Sequence, residues 1–511
     1  MEKFLKKLLS RAFIVGFLIF IQFVILMGAI WKVSEDFIYV YFLFIFISIV
    51  VFIYIVSRKD NPSYKLAWAV PVLLVPVFGG LFYLIFGGNK TSKKFRKQIK
   101  ASYDETAHLL YDDRTVLEEL ENLDKSIANQ SRYIADYSQF PVYKNTTTEY
   151  LSPGEVFFER LKEELKKAKH YIFMEYFIVH EGVMWNSILE ILEEKVKEGV
   201  EVRFVYDDMG CLGTLPYKYN EVLESKGIKC MVFNPFVPLL SLRMNNRDHR
   251  KITVIDGHTG FTGGINLADE YINEIVRFGH WKDASIMLKG DAVWNLTVMF
   301  LQIWNFYSER KEQYEKYYPY FHHEDEFESD GYVQPYGDSP LDDEIVGENV
   351  YLNIINKTKD YVYINTPYLI IDNELVTALT LAAKSGIDVR IVTPHIEDKW
   401  YAHIVTRAYY PQLIESGVKI YEYTPGFIHS KTFVSDDEIG IVGTINMDYR
   451  SLYLHFECGV WLYKTKSVEQ IKDDFLKTLE KCQRITLEDC AKVKVPTRIL
   501  RSIIRVFAPL M

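Results

Sequence analysis

Five residues recur in the same order at a constant separation of 180 positions: His249, Lys251, Asp256, Gly263 and Asn266 are answered by His429, Lys431, Asp436, Gly443 and Asn446. A chain that carries the pattern His-x-Lys-x4-Asp twice, each copy followed by an apolar run, a Gly turn and an Asn, is constrained to build two equivalent halves. Histidine can attack phosphorus or protonate a leaving oxygen, while lysine and asparagine can hold phosphate oxygens. Two such sets at one centre supply both jobs, which is the chemistry of phosphodiester processing.

The repetition extends beyond the motif. HYIFMEYFIV at 170–179 parallels DYVYINTPYL at 360–369, and GVEVRFVYD at 199–207 parallels GIDVRIVTP at 386–394. Both copies read strand, helix, strand, with helices expected over 187–197 and 375–383. The first half holds about ten extra residues before its histidine, and 237–248 is a candidate lip over the cleft. The expected fold is α/β: two sheets covered by helices, packed as a pseudo-dimer with both His-x-Lys segments at the shared interface. Residues two apart on an extended segment face the same way, so His249 with Lys251 and His429 with Lys431 should point into one cleft.

The stretches NNRDHRKITVIDG, FTGGINLADEY, HWKDASIMLKG, INTPYLIIDNEL, GFIHSKTFVSD and VGTINMDYRSLYLHFE resemble the phospholipase D superfamily, and within it the bacterial cardiolipin synthases. The resemblance spans nearly the whole chain, including the hydrophobic N-terminus. It implies transfer of a phosphatidyl group from one phosphatidylglycerol to another through a phosphohistidine, with no cofactor and no metal. Hydrolysis by a phosphodiesterase, and phosphatidylethanolamine as donor, are the alternatives. The catalytic set is His249, Lys251, His429 and Lys431, with Asn266 and Asn446 on the phosphate oxygens. Asp256 and Asp436 complete the motif, although at five residues beyond lysine they are expected to cap local structure. Asp283 and Glu457, 34 and 28 residues after the respective histidines, stand where the family carries a histidine-orienting carboxylate. Three departures are visible: Thr444 where Gly or Ser is frequent, Asp248 before the first histidine, and His455 where Asn is common. None is expected to touch a catalytic group, and the ten remaining histidines, His322 and His323 among them, read as surface or packing residues.

Charge is uneven along the chain. Residues 1–100 hold fourteen Lys or Arg against four Asp or Glu, and the remaining residues carry a net charge of -19. A basic membrane-proximal end suits anionic lipid, and an acidic body argues against nucleic acid as a partner. The five cysteines form no CxxC pair and no metal-like cluster, so they read as reduced bystanders. A homo-oligomer is left open.

Two runs, 12–31 and 37–56, are each long enough to cross a bilayer as a helix, which makes the chain an integral membrane protein. A third run, 66–86, is interrupted by Pro71, Pro76, Gly79 and Gly80 and is flanked by cations on both sides. Cations favour the cytoplasmic face, so this run is expected to be re-entrant or interfacial, with the catalytic part in the cytoplasm of a bacterial inner membrane. The expected division is a membrane region to residue 100, a helical linker over 101–135, phospholipase D-like halves over 136–325 and 326–495, and a basic amphipathic tail over 496–511.

Overall fold

The computed structural model describes residues 11–36, 38–87, 93–110, 114–235, 246–307, 314–319, 327–342 and 344–510. Lys3, Lys6, Lys7, Lys90, His322, His323 and residues 237–245 of the expected lip lie outside the described residues.

The body is two sheets with one plan. In the first, the strand order is Thr146–Leu151, Ser285–Gly290, Thr259–Gly263, Ile252–Ile255, Tyr171–Tyr176, Glu201–Asp207, Lys229–Phe233. The second runs Tyr332–Asp338, Glu457–Tyr463, Ile439–Gly443, Thr432–Ser435, Tyr361–Asn365, Asp388–Pro394, Lys419–Tyr423, with Cys482–Arg484 added at the edge. In each, three parallel strands join four antiparallel ones at the pair formed by the central strand and the strand of the His-x-Lys motif. Parallel neighbours require a crossover, and helices Val183–Lys197 and Asn373–Lys384 provide it. Strands covered on both faces lose the apolar–polar alternation, which is why Tyr171–Tyr176 and Tyr361–Asn365 are buried at every position.

The halves clasp each other. Helix Val293–Tyr307, apolar almost throughout, covers the first sheet and also packs on Tyr332–Asp338 of the second. Helix Lys466–Leu479 does the converse, covering the second sheet and packing on Thr146–Leu151 of the first. Tyr150 donates to Asp474 across that contact at 3.0 Å. Around and after residue 100 the chain forms helices Lys93–Thr106, Thr115–Leu123 and Lys125–Ser138.

At the far end of each motif strand the chain turns through an aspartate in the left-handed region, Asp256 at φ 50° and Asp436 at φ 53°. Asp256 accepts from the N–H groups of Lys169, His170 and Tyr171 at 2.8 Å each, and Asp436 from those of Lys359, Asp360 and Tyr361 at 2.8 to 3.0 Å. Both carboxylates therefore tie the start of the central strand to the motif strand, and the two aspartates grouped with the catalytic set are structural anchors.

Among the described residues one helix, Ile38–Ser57, is both long and apolar enough to cross a membrane; the apolar stretch in helix Arg11–Asp36 is shorter. Of the two spans expected at 12–31 and 37–56, the second alone meets that measure. The run 66–86 is two helices, Pro62–Leu74 and Pro76–Phe86, parted at Val75. At 13 and 11 residues and ~1.5 Å per residue, neither reaches across the ~30 Å hydrocarbon core. The glycine pair is there for close packing: a Cβ at Gly80 would meet Ser48 of the long helix at 2.4 Å, and one at Gly79 would meet Val72 at 2.5 Å. Asn61 caps the first short helix and reaches Asp372 and Tyr453 at 3.0 and 2.8 Å, which fastens the membrane-proximal hairpin to the second half.

The C-terminal helix Val495–Val506 rests on helix Trp400–Glu415 and on Pro62–Leu74. Ile504 is buried and Arg505 lies over the Tyr409 ring, while Val495, Ile499, Leu500 and Ile503 remain exposed.

Candidate active site

The two His-x-Lys segments are extended leads into strands Ile252–Ile255 and Thr432–Ser435, and each is held by the opposite half. His249 donates its N–H to Phe456 O at 2.9 Å, and Phe456 donates to Arg247 O at 2.8 Å. His429 donates to Lys282 O at 2.7 Å, continuing the parallel pairing of Gly426–Ile428 with His280–Lys282. Those backbone bonds bring both segments to one place. His249, Lys251, His429 and Lys431 are all buried.

The side-chain pairing crosses the same boundary. His249 Nδ1 lies 3.0 Å from Glu457 Oε2, and His429 Nδ1 lies 2.6 Å from Asp283 Oδ2. Each carboxylate thus orients the histidine of the other half, which corrects the assignment of Asp283 and Glu457 to the histidines that precede them. A carboxylate accepting from Nδ1 leaves Nε2 as the nitrogen available for chemistry. Rings fix the imidazoles further: Phe177 stands 5.0 Å from His249, and Trp281 and Tyr271 stand 5.2 and 5.6 Å from His429.

The lysines reach the same point. Lys251 Nζ donates to His249 O at 2.5 Å, and Lys431 Nζ lies 2.8 and 3.1 Å from the two ring nitrogens of His429. The intervening Arg250 turns the other way, to Glu175 at 2.9 Å and Asp248 at 3.1 Å. Alternation along the extended chain therefore sorts the cations onto two faces.

Burial and like charge act together on this cluster. Burial, reinforced by Lys251 and by the neighbouring histidines and Lys431, holds the His249 imidazolium well below its ordinary range. Burial and Lys431 bring His429 down to about 4, against the pull of Asp283. Burial also lowers Lys251 to about 8 and Lys431 to about 7. The carboxylates differ: burial lifts Glu457 to about 8, whereas His429 and Lys431 outweigh burial at Asp283 and hold it below its ordinary range. A cluster that sheds protons in this way is short of negative charge, and an anionic phosphodiester supplies it.

The two asparagines are not equivalent. Asn266 accepts from the Ile178 N–H at 2.9 Å and donates to Tyr271 Oη at 2.7 Å, so both ends of its amide are engaged. The side-chain oxygen of Asn446 is buried without a hydrogen-bond partner.

Two of the three departures from the family pattern lie in the cleft, contrary to expectation. Thr444 donates to Glu457 Oε2 at 2.5 Å. His455 is buried with its ring centre 5.5 Å from that of His249 and its Nδ1 3.9 Å from Glu457 Oε1. Spacing could not have found it, because it lies outside both motifs; its replacement of an Asn two residues before Glu457 was the available signal. His249, His455 and Glu457 present ligand atoms within 4.8 Å of one another, and Glu348, Asp372 and Glu374 form a second grouping of that kind near Asn61. All five cysteines are free, three of them buried.

The family model described as "Cardiolipin synthase, PLD-like domain" matches residues 161–276 and 351–479, one stretch in each half. A second, described as "Phospholipase_D-nuclease N-terminal", matches 46–88. The cardiolipin synthase of Halalkalibacterium halodurans is 37% identical over 89% of this chain and 91% of its own length. The chain belongs to the cardiolipin synthase family. An uncharacterized protein of Streptococcus mutans is 46% identical over 90% of this chain and 99% of its own length. In fold, the chain is similar to the phosphatidylserine synthase of Haemophilus influenzae, with a TM-score of 0.57 at 13% identity over 75% of this chain and 99% of that one. Cardiolipin synthases of this family are phosphatidyltransferases with a phospholipase D-type domain, and their membrane association matches the apolar helix Ile38–Ser57.

The depressed lysines set a pH dependence. Lys431 is charged below about 7 and Lys251 below about 8, so the free cleft loses cations as pH rises through that window. The kcat/KM profile, which reports free enzyme, should fall on the alkaline side between about 7 and 8. A detergent-micelle assay that stays flat to well above that window would contradict the assignment of both lysines to substrate binding.

Proposed function

We propose that the cleft performs phosphatidyl transfer in two steps on phosphatidylglycerol, with the histidines dividing the labour. Nε2 of neutral His249 attacks phosphorus, the bond to the departing glycerol oxygen breaks, and the His429 imidazolium gives that oxygen its proton. The product is glycerol and a phosphatidyl-histidine. Neutral His429 then takes the proton from a hydroxyl of a second phosphatidylglycerol, whose oxygen attacks phosphorus and releases His249, giving cardiolipin. The observation that carries this reading is the pair of crossed dyads, which put two imidazoles, each with Nδ1 against a carboxylate of the other half, and two lysines in one cleft.

The choice of His249 as nucleophile is supported by the asymmetry of the carboxylates. Asp283 stays ionised and pulls the His429 imidazolium up, against the burial and Lys431 that hold it at about 4 in the free cleft, and an entering phosphodiester anion adds to that pull. Lys251 and Lys431 would donate to the non-bridging oxygens as charge builds, together with Asn446 rather than the fully engaged Asn266. Given phosphatidylglycerol alone, the purified protein should form cardiolipin and glycerol in equal amounts. Phosphatidic acid as the main product would instead establish a hydrolase, the second reading, which rests on water reaching the same intermediate.

The same proposal includes a topology: an inner-membrane protein crossing at Ile38–Ser57, with its catalytic halves in the cytoplasm and the hairpin of Pro62–Leu74 and Pro76–Phe86 dipping into the inner leaflet. Its support is the short length of both hairpin helices and the cations on either side of them. The segment 32–36 carries a net charge of only -1 and is cheap to export. Cysteines introduced at Lys93 and Asp330 should be hidden from an impermeant reagent in intact cells, and one at Ser34 should react. Labelling at Lys93 and Asp330 from outside would place the cleft on the opposite face.

A further inference from the structure

Among the described residues, His455 is the one imidazole in the cleft that the transfer chemistry does not use. It is 7% exposed, both its ring nitrogens are buried, and neither meets a hydrogen-bonding group. A buried polar group left unmatched is costly, so two such atoms on one ring beside a catalytic histidine call for a ligand. The neighbouring atoms say which kind. Glu457 lies 2.9 Å from His249 Nδ1 through Oε1, and the same oxygen lies 3.9 Å from His455 Nδ1.

We propose that His249, His455 and Glu457 form an inhibitory site for a borderline transition-metal dication, zinc above all. Two imidazoles and one carboxylate are the donor set that zinc takes with three protein ligands, leaving further positions for water. Ligands held ~2.0–2.1 Å from a tetrahedral ion stand about 3.3 Å from one another. The separations of 2.9 and 3.9 Å straddle that value, and one ligand atom from each of the three residues lies within 4.8 Å of the others. The opposing term is charge, since Arg450, Lys251, Arg247 and Lys399 all act on His455, so occupancy is expected to be weaker than at a structural zinc site.

The consequence follows from the tautomer and rests on His249 Nε2 being the reacting atom. A metal on Nδ1 takes the place of the proton that Nδ1 shares with Glu457. That proton moves to Nε2, the imidazole stays neutral, and the lone pair needed to attack phosphorus is gone. His455 thus gives the enzyme a metal sensitivity that a family member with Asn at this position lacks.

The full-length protein in detergent, stripped with EDTA, is titrated with Co2+ as the spectroscopic probe and Zn2+ as the inhibitor. One Co2+ per chain should give the visible absorption of a four- or five-coordinate ion, Zn2+ should displace it, and turnover should fall and recover with EDTA. In His455→Asn and His455→Ala the absorption should be lost, and the Zn2+ needed to inhibit should rise about tenfold or more relative to each variant's own metal-free rate. No Co2+ absorption in the wild type overturns the site without touching the transfer mechanism, and so does Zn2+ inhibition that is unchanged in both variants. Co2+ bound at this site with turnover undiminished overturns the inhibition, and with it the role of His249 Nε2. If His455→Ala does not fold, His455→Asn and the wild-type titration still decide.

Discussion

Two hydrogen bonds, His249 to Glu457 and His429 to Asp283, are the contacts on which the rest of this molecule depends. Each joins a histidine of one half to a carboxylate of the other, so neither half contains an oriented imidazole by itself. The backbone repeats the arrangement, with His249 bonded to Phe456 and His429 to Lys282, and so do the closing helices, each covering the opening strand of the opposite sheet. Duplication of a half-site is therefore more than a doubling of residues. It makes the site conditional on correct docking of the two halves.

Docking buries cations beside one another. Five groups able to carry positive charge, His249, His429, His455, Lys251 and Lys431, share the cleft with two carboxylates; burial drives all of them towards neutrality, the four catalytic ones included. A phosphodiester entering such a place restores the charge balance and raises the affinity of all four for protons, which is what general acid catalysis and anion stabilisation need. The position of the membrane segments fits that use. Helices Pro62–Leu74 and Pro76–Phe86 pack on the apolar helix Ile38–Ser57 and are fastened through Asn61 to the second half, so the catalytic body is held close to the apolar region rather than tethered by a free linker.

The doubled motif and the repeated strand-helix-strand segments made the two-sheet plan legible in the amino-acid sequence, because period and burial follow directly from residue order. The carboxylates were legible as a set and misread as pairs. Position along the chain relates Asp283 to His249, but the parallel pairing of His280–Lys282 with Gly426–Ile428 carries it to His429. Long-range register of that kind leaves no trace in local pattern. Thr444 and His455 looked like neutral replacements for the same reason, since their contacts with Glu457 arise from a turn and a strand start brought together in space. At the N-terminus composition revealed apolar runs but not their lengths as helices, and the break at Val75 became clear only from its backbone.

The central claim is that one cleft, assembled from both halves, gives its two histidines different jobs. A phosphatidyl ester of p-nitrophenol tests it most directly, because that leaving group departs without a proton and the first step no longer needs an acid. On this substrate His429→Ala should release a burst of one p-nitrophenolate per chain, leave a phosphatidyl adduct on His249 and then stall, while His249→Ala should show no burst. A burst from His249→Ala with the adduct on His429, or steady turnover by either variant, would contradict the account.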